Sequence, residues 1–192
     1  MSNVVMYDPS RLIAGMDEAG RGCIFGGVFS ACVILDPDNP IPELNDSKKL
    51  SAKKRDLLYD EIKEKALYIG VGYASPLEVD EFNVLRATFM SMERALINLG
   101  VVPDLLIVDG NSDPQLGVAT ETIVKGDAKF QEISASSIIA KVERDLYMDR
   151  YHELYPDYGF DKHRGYGTTE HYKKLGKLGL ITGYRLTFKS VK

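Results

Sequence analysis

What most constrains this chain is a short apolar run, Leu12-Ile13-Ala14-Gly15-Met16, that ends at two adjacent carboxylates, Asp17 and Glu18. The run has the length of one buried strand. Carrying even one unpaired carboxylate into a core would be expensive, so the fold must present both acids at the strand's exit. Gly20-Arg21-Gly22 follows, in which the glycines let backbone amides approach a ligand closely and the guanidinium can grip an anion. Acids beside an anion-binding loop suggest a metal ion between them.

The rest of the chain alternates similar runs with helical periods. Gly26 to Leu35 reads as a second strand, punctuated by Asp36-Pro37-Asp38-Asn39-Pro40. Ser51 caps a predicted helix to about Lys65, with Leu57, Leu58 and Ile62 inward. Ala66 to Tyr73 is strand-like, and Leu77 to Leu99 reads as one or two helices with Phe82, Leu85, Phe89, Met92 and Leu96 at helical spacing, a stripe assigned to core. Asp104 to Val108 is a strand running into Asp109-Gly110, which taken alone is an ordinary turn dipeptide. Thr120 to Val124 runs into Lys125-Gly126-Asp127, so three apolar segments end at an acid. A long helix is expected from Ser134 to about Tyr155, with Ala135, Ile138, Ile139, Val142 and Leu146 on one face. A Gly- and Tyr-rich stretch and a basic helix from Thr169 to Leu178 complete the chain. The pattern predicts an α/β fold, a mixed sheet flanked by helices over residues 1–155 with a helical appendage over 156–192.

No apolar run approaches the roughly 20 residues of a membrane helix, and the first residues lack a basic leader, which predicts a cytoplasmic protein with no membrane association. Cys23 and Cys32 form neither a metal-type pair nor a disulfide pattern and are expected to be free, Cys23 as a buried thiol. The net charge of −4 argues against a nucleic-acid partner only until its distribution is seen: residues 141–192 carry +4 and the first 140 carry −8. An acidic body can hold cations while a basic end meets a polyanion.

Asp17, Glu18, Asp109 and Asp127 make an all-oxygen set, unaccompanied by His or Cys at ligand spacing. Hard oxygen donors select Mg²⁺ or Mn²⁺. Two such ions roughly 4 Å apart can activate water and stabilise a leaving oxygen, which points to phosphodiester hydrolysis. Among the other acids, Asp145 reads as a structural ion pair beside Arg144, and Glu121 and Glu132 as solvated. His152 and His171, on polar helices, read as exposed, and His163 carries no assigned role.

Six segments in order resemble the type 2 ribonuclease H family, ribonuclease HII: residues 15–22, 46–50, 108–110, 125–128, 134–145 and 165–168. The likeness runs from Ile13 to Phe188. It implies a ribonuclease H-like fold in which Asp17, Glu18, Asp109 and Asp127 are the catalytic metal ligands. The implied substrates are RNA/DNA hybrids and duplex DNA containing a ribonucleotide, cut 5′ of the ribose to leave 3′-hydroxyl and 5′-phosphate ends. By the same likeness Gly20, Arg21 and Gly22 read the ribose 2′-hydroxyl, Tyr166 stacks on the neighbouring sugar and Lys48 holds a phosphate. Cys23 and Gly27 stand where the family usually has prolines, so the loop after Gly22 is expected to be more flexible.

Two rivals stand beside that reading. A type 3 ribonuclease H normally carries an extra N-terminal domain, whereas about ten residues precede the first strand here. A non-catalytic phosphate-binding module would use the Gly20 to Gly22 loop but leave Asp17, Asp109 and Asp127 unexplained.

Overall fold

A computed structural model describes residues 11–44 and 50–191. Strands β1 (Ile13–Ala19), β2 (Val28–Ile34), β3 (Tyr68–Ala74), β4 (Leu105–Asp109) and β5 (Thr120–Ile123) form one sheet in the order β3-β2-β1-β4-β5. β1, β2 and β3 pair antiparallel, and β4 and β5 join parallel on the other side of β1. The expected mixed sheet is therefore present, with the acid-bearing strand β1 at its centre. Lys48 lies outside the described residues.

Helices α1 (Ala52–Lys65), α2 (Pro76–Leu99) and α3 (Gln131–Leu154) supply the layers, followed by the short α4 (Phe160–His163) and by α5 (Thr169–Leu178). Local chemistry sets their ends. The Ser51 hydroxyl accepts from the Lys54 amide at the start of α1. Ser75 and Glu78 form a reciprocal capping box before Pro76, and Gly100 closes α2 in the left-handed conformation at φ 78°. α2 bends at Asn83, whose φ of 69° is non-helical and whose side-chain oxygen accepts from the Leu85 and Arg86 amides as a fresh N-cap. That break resets the helical phase, and Phe82 and Leu85, expected in the core, are exposed. Leu57 on α1 and Leu146 on α3 are also exposed. α3 begins at Gln131, three residues before its expected start.

The strand alternation sends Ala14, Met16, Leu106 and Val108 toward Met92, Ala95 and Leu99 of α2. Ile13, Leu105 and Ile107 face Phe130 and Ile133 at the start of α3. Close approach depends on glycines in the strands. A Cβ on Gly15 would lie 2.1 Å from the Glu132 backbone, and one on Gly72 would lie 1.9 Å from the Ser91 carbonyl oxygen. α3 and α2 thus rest on bare backbone of β1 and β3. Residues 156–191 gather Tyr158, Phe160, Tyr184 and Val191 around Ile24, Phe25 and Met148, an aromatic cluster continuous with the start of the chain. Among the described residues no helix is long and apolar enough to cross a membrane.

Gly72→Ala tests the packing without touching the acids. A methyl pressed into the α2 backbone should lower stability by about 2–3 kcal/mol, read as a lower urea midpoint at unchanged slope.

Candidate active site

The parallel pairing of β1 and β4 puts Met16 opposite Val108, so the next residues along, Asp17 and Asp109, leave the sheet side by side. Both follow the alternation that faces α3. Asp17 is only 5% exposed and its Oδ1 accepts from the Glu18 amide at 2.7 Å. Burial, then repulsion from Glu18 and Asp109, raises the Asp17 carboxyl well above the usual range, opposed by a hydrogen bond from Ser137. Glu18, the strand's next residue, pairs with the Arg21 guanidinium at 3.3 Å.

The third acid arrives through a turn. β5 lies parallel to β4, and Lys125, at φ 57°, turns the chain into a single 3₁₀ turn over Gly126–Ala128 that carries Asp127. The Gly126 amide donates to Asp109 Oδ1 at 2.7 Å, which ties that turn to the exit of β4. Asp127 is 2% exposed. The acids that end three separate runs in the sequence are thus delivered by three neighbouring strands. Among the described residues, no three His, Cys, Asp or Glu side chains stand already positioned to hold a metal ion. The donor chemistry nevertheless fits a hard divalent cation: oxygen only, with Asp17 desolvated and crowded by like charge. Drawing the carboxylates onto an ion would relieve that crowding.

Beside the acids lies the loop from Gly20 to Gly27, held from inside by two buried arginines. Arg144, 1% exposed, donates to the carbonyl oxygens of Gly27, Phe25 and Arg164 at 3.4, 3.0 and 2.7 Å. Arg185, 0% exposed, donates to those of Gly26, Arg21 and Gly20 at 2.8, 2.8 and 2.7 Å. Gly20, at φ 98°, has no room for a side chain, since a Cβ would sit 2.1 Å from Arg144 Nε. Arg21 and Gly22 face outward, while Cys23 is buried and bridged antiparallel to Tyr166. The Tyr166 ring is half-exposed, and the Arg144 guanidinium carbon lies 6.0 Å from its centroid. Hydrogen bonds tie the loop after Gly22 to the C-terminal part of the chain, with the Ile24 and Phe25 amides donating to Gly165 and the Gly26 amide to Gly183.

Several sequence expectations are corrected here. Asp145 does form a structural ion pair, but with Lys141 at 2.5 Å, while its neighbour Arg144 bonds backbone carbonyls. His171 is fully buried, stacked on His163 with centroids 3.8 Å apart. The Glu132 carboxyl is pushed up by burial, so it is not a solvated acid. Sequence reasoning missed Arg144, Arg185 and Ser137. Arg144 carried a usable signal, since it lies on the buried side of α3.

A family model described as Ribonuclease HII matches residues 14–191. The ribonuclease HII of Psychromonas ingrahamii is 54% identical over 188 residues, 98% of this chain and 92% of its own length. Among solved structures, the RNase HII from Archaeoglobus fulgidus, in its complex with PCNA, superposes with a TM-score of 0.78 at 27% identity, covering 93% of this chain and 95% of that one. The ribonuclease H2 from Pyrococcus horikoshii gives 0.77 at 26%, covering 93% and 94%.

If Asp17 is held charged against burial and like charge, Asp17→Asn should stabilise the metal-free protein. A raised native pKa means wild type loses stability relative to the variant as pH climbs through that pKa. In EDTA the variant should melt about 2–4 °C higher near neutral pH, on the order of 1 kcal/mol, with the difference vanishing toward about pH 3. Differential scanning calorimetry across that range checks it.

Proposed function

Since the chain belongs to the ribonuclease HII family and is by that membership a ribonuclease H endonuclease, we propose that it cuts RNA/DNA hybrids and duplex DNA containing a ribonucleotide, 5′ of the ribose. The observation that carries this reading is the parallel register of β1 and β4, which sets Asp17 beside Asp109 next to the turn bearing Asp127. Asp17, Glu18, Asp109 and Asp127 would hold divalent ions, Mg²⁺ or Mn²⁺. Such ions, when bound, lower the pKa of a coordinated water and neutralise charge on the leaving oxygen. The remaining work falls to this chain's own groups.

The Gly20–Gly22 loop is the proposed ribose reader. Its Gly20 and Arg21 carbonyls already accept from Arg185, so they are turned inward. Gly22 itself is exposed, and a Cβ there would meet nothing within 4 Å. Backbone amide and carbonyl groups together suit a hydroxyl, which accepts and donates at once. A deoxyribose leaves those groups unpaired, and a site built around a hydroxyl discriminates strongly on that account. Arg21, held near the acids by Glu18, supplies positive charge for a phosphate. Tyr166 presents its half-exposed ring next to Cys23, where stacking on the following sugar favours a deoxyribose.

A DNA duplex bearing one ribonucleotide tests the reading directly. With Mg²⁺ or Mn²⁺ it should be cut 5′ of the ribose, leaving a 3′-hydroxyl and a 5′-phosphate; substrate intact with both metals would overturn it. Asp127→Asn should lose roughly two orders of magnitude or more in cleavage while retaining binding, as expected when a metal ligand is weakened, and fluorescence anisotropy separates the two effects. In Tyr166→Ala the preference for a ribose followed by deoxyribose over a continuous hybrid should fall while the melting temperature holds; an unchanged preference removes the tyrosine from that role.

A further inference from the structure

The buried histidines are not explained by metal binding or by substrate contact, yet they sit directly behind Tyr166. His163 and His171 stack with centroids 3.8 Å apart and planes 13° from parallel. Their hydrogen bonds assign one tautomer to each. The Gly165 amide donates to His163 Nδ1 at 3.2 Å, so His163 carries its proton on Nε2 and donates to the Tyr158 carbonyl at 2.9 Å. His171 Nδ1 lies 2.8 Å from the Tyr166 carbonyl oxygen and must be the donor there, leaving Nε2 to accept from the Tyr184 hydroxyl at 2.8 Å. Each ring is neutral and fully used.

What they support is a turn that would not hold this shape on its own. Arg164 and Gly165 are consecutive left-handed residues, at φ 49° and 81°, and the first has a side chain that disfavours it. The Tyr166 amide donates to the His163 carbonyl at 2.8 Å, and the Tyr166 carbonyl accepts from both Thr168 and His171. The Gly165 carbonyl accepts from Ile24 and Phe25 of the ribose-reading loop. The imidazole pair therefore fixes, through backbone atoms, where Tyr166 stands relative to Cys23.

We propose that His163 and His171 are a stacked pair of positioning residues whose neutral forms set Tyr166 against the Gly20–Cys23 loop and so govern discrimination at the ribose–deoxyribose junction. The proposal rests on the reading that Tyr166 meets the sugar. Both imidazoles are buried and bond only this chain's own groups, so they act through Tyr166. A proton added to His163 Nδ1 would face the Gly165 amide donor to donor, and two protonated rings in stacking contact would repel. Burial pushes both imidazoles below their usual range, His171 to about 4. The charged groups facing the pair are Lys174 and Glu170 of α5 and Asp161 of α4, with Lys174 disfavouring protonation of both rings and the two acids favouring that of His163.

The readout is the ratio of kcat/KM on a duplex with one ribonucleotide to kcat/KM on a continuous RNA/DNA hybrid, in which effects common to both substrates cancel. His171→Ala should lower this ratio by about tenfold, and His171→Asn, which keeps a donor where Nδ1 stood, should restore most of it. In wild type the ratio should hold level from about pH 8 to about pH 6.5, where both lowered imidazoles stay neutral. A wild-type ratio in folded His171→Ala, alongside a collapsed ratio in Tyr166→Ala, overturns the positioning pair alone. If Tyr166→Ala also keeps the ratio, the sugar-stacking reading fails and the pair falls with it. Should the alanine variant not fold, His171→Phe, which keeps a ring in the stack but removes both nitrogen contacts, decides, and a wild-type ratio in it overturns the proposal.

Discussion

Everything around the candidate site hangs on two guanidinium groups buried where water does not reach. An unpaired charge in such a place costs several kcal/mol, and here the compensation comes from backbone carbonyls, three for Arg144 and three for Arg185. The dependence is mutual. The loop from Gly20 to Gly27 runs through positive φ at Gly20 and Gly26 and cannot satisfy its inward carbonyls by regular pairing. Remove either partner and the other is stranded. Burial lowers Arg185 to about 10, still far enough above neutrality to keep it charged and the clamp closed. Because the clamp takes carbonyls, it orients the loop with its remaining backbone toward solvent, which is the face a ribose would meet.

The acids follow a different logic. Their placement costs stability: Asp17 is desolvated and sits against Glu18 and Asp109, all of one sign. The sheet tolerates this because its interior is closely packed on both faces, and because Gly15 lets α3 close over the same face of β1 that carries Asp17. The Ser136 hydroxyl donates to the Gly15 carbonyl at 2.8 Å, and the next residue, Ser137, reaches Asp17. One helix thus buries the carboxylate and also supplies its polar neighbour. Stability given up at a site of developing charge is a common trade in enzymes.

How much of this was legible beforehand depended on whether the signal was local. Strand runs, caps and acid exits are local, and β1, β4, β5 and the turn at Asp127 stand where the apolar runs end. The convergence of Asp17 and Asp109 is a property of strand order, which short runs do not encode, and only the likeness to a family suggested it. The arginines and histidines were misjudged for one physical reason. A charged or polar residue on a helix reads as solvated, and what reverses that reading is a set of partners far along the chain: Arg144 bonds residues 117 and 119 positions away, and Arg185 bonds one 165 away. The exposed Phe82 and Leu85 were lost differently. The stretch from Leu77 to Leu99 reads as one or two helices, and the spacing of its apolar residues does not locate the break that the cap at Asn83 makes.

The same reasoning explains how the loop is held at Cys23 and Gly27, where the likeness to the family leads one to expect prolines. A proline restrains the chain through its ring and forgoes an amide hydrogen. Cys23 keeps that hydrogen, and its amide donates to the Gly20 carbonyl at 3.3 Å, closing the turn around Arg21 and Gly22 with a bond proline cannot make. Its thiol packs out of solvent and lies 3.8 Å from the Arg164 carbonyl oxygen. At Gly27 the space a ring would fill is taken: a Cβ there would lie 2.2 Å from the Ala74 carbonyl oxygen and 2.3 Å from the Tyr73 ring. Tyr73 in turn packs on Phe29 and Tyr147. Restraint that proline would impose by covalent geometry is supplied here by hydrogen bonds and a neighbouring aromatic ring. The two positions act together, because bare backbone at Gly27 is what admits Tyr73, and the amide of Cys23 closes the turn that begins at Gly20.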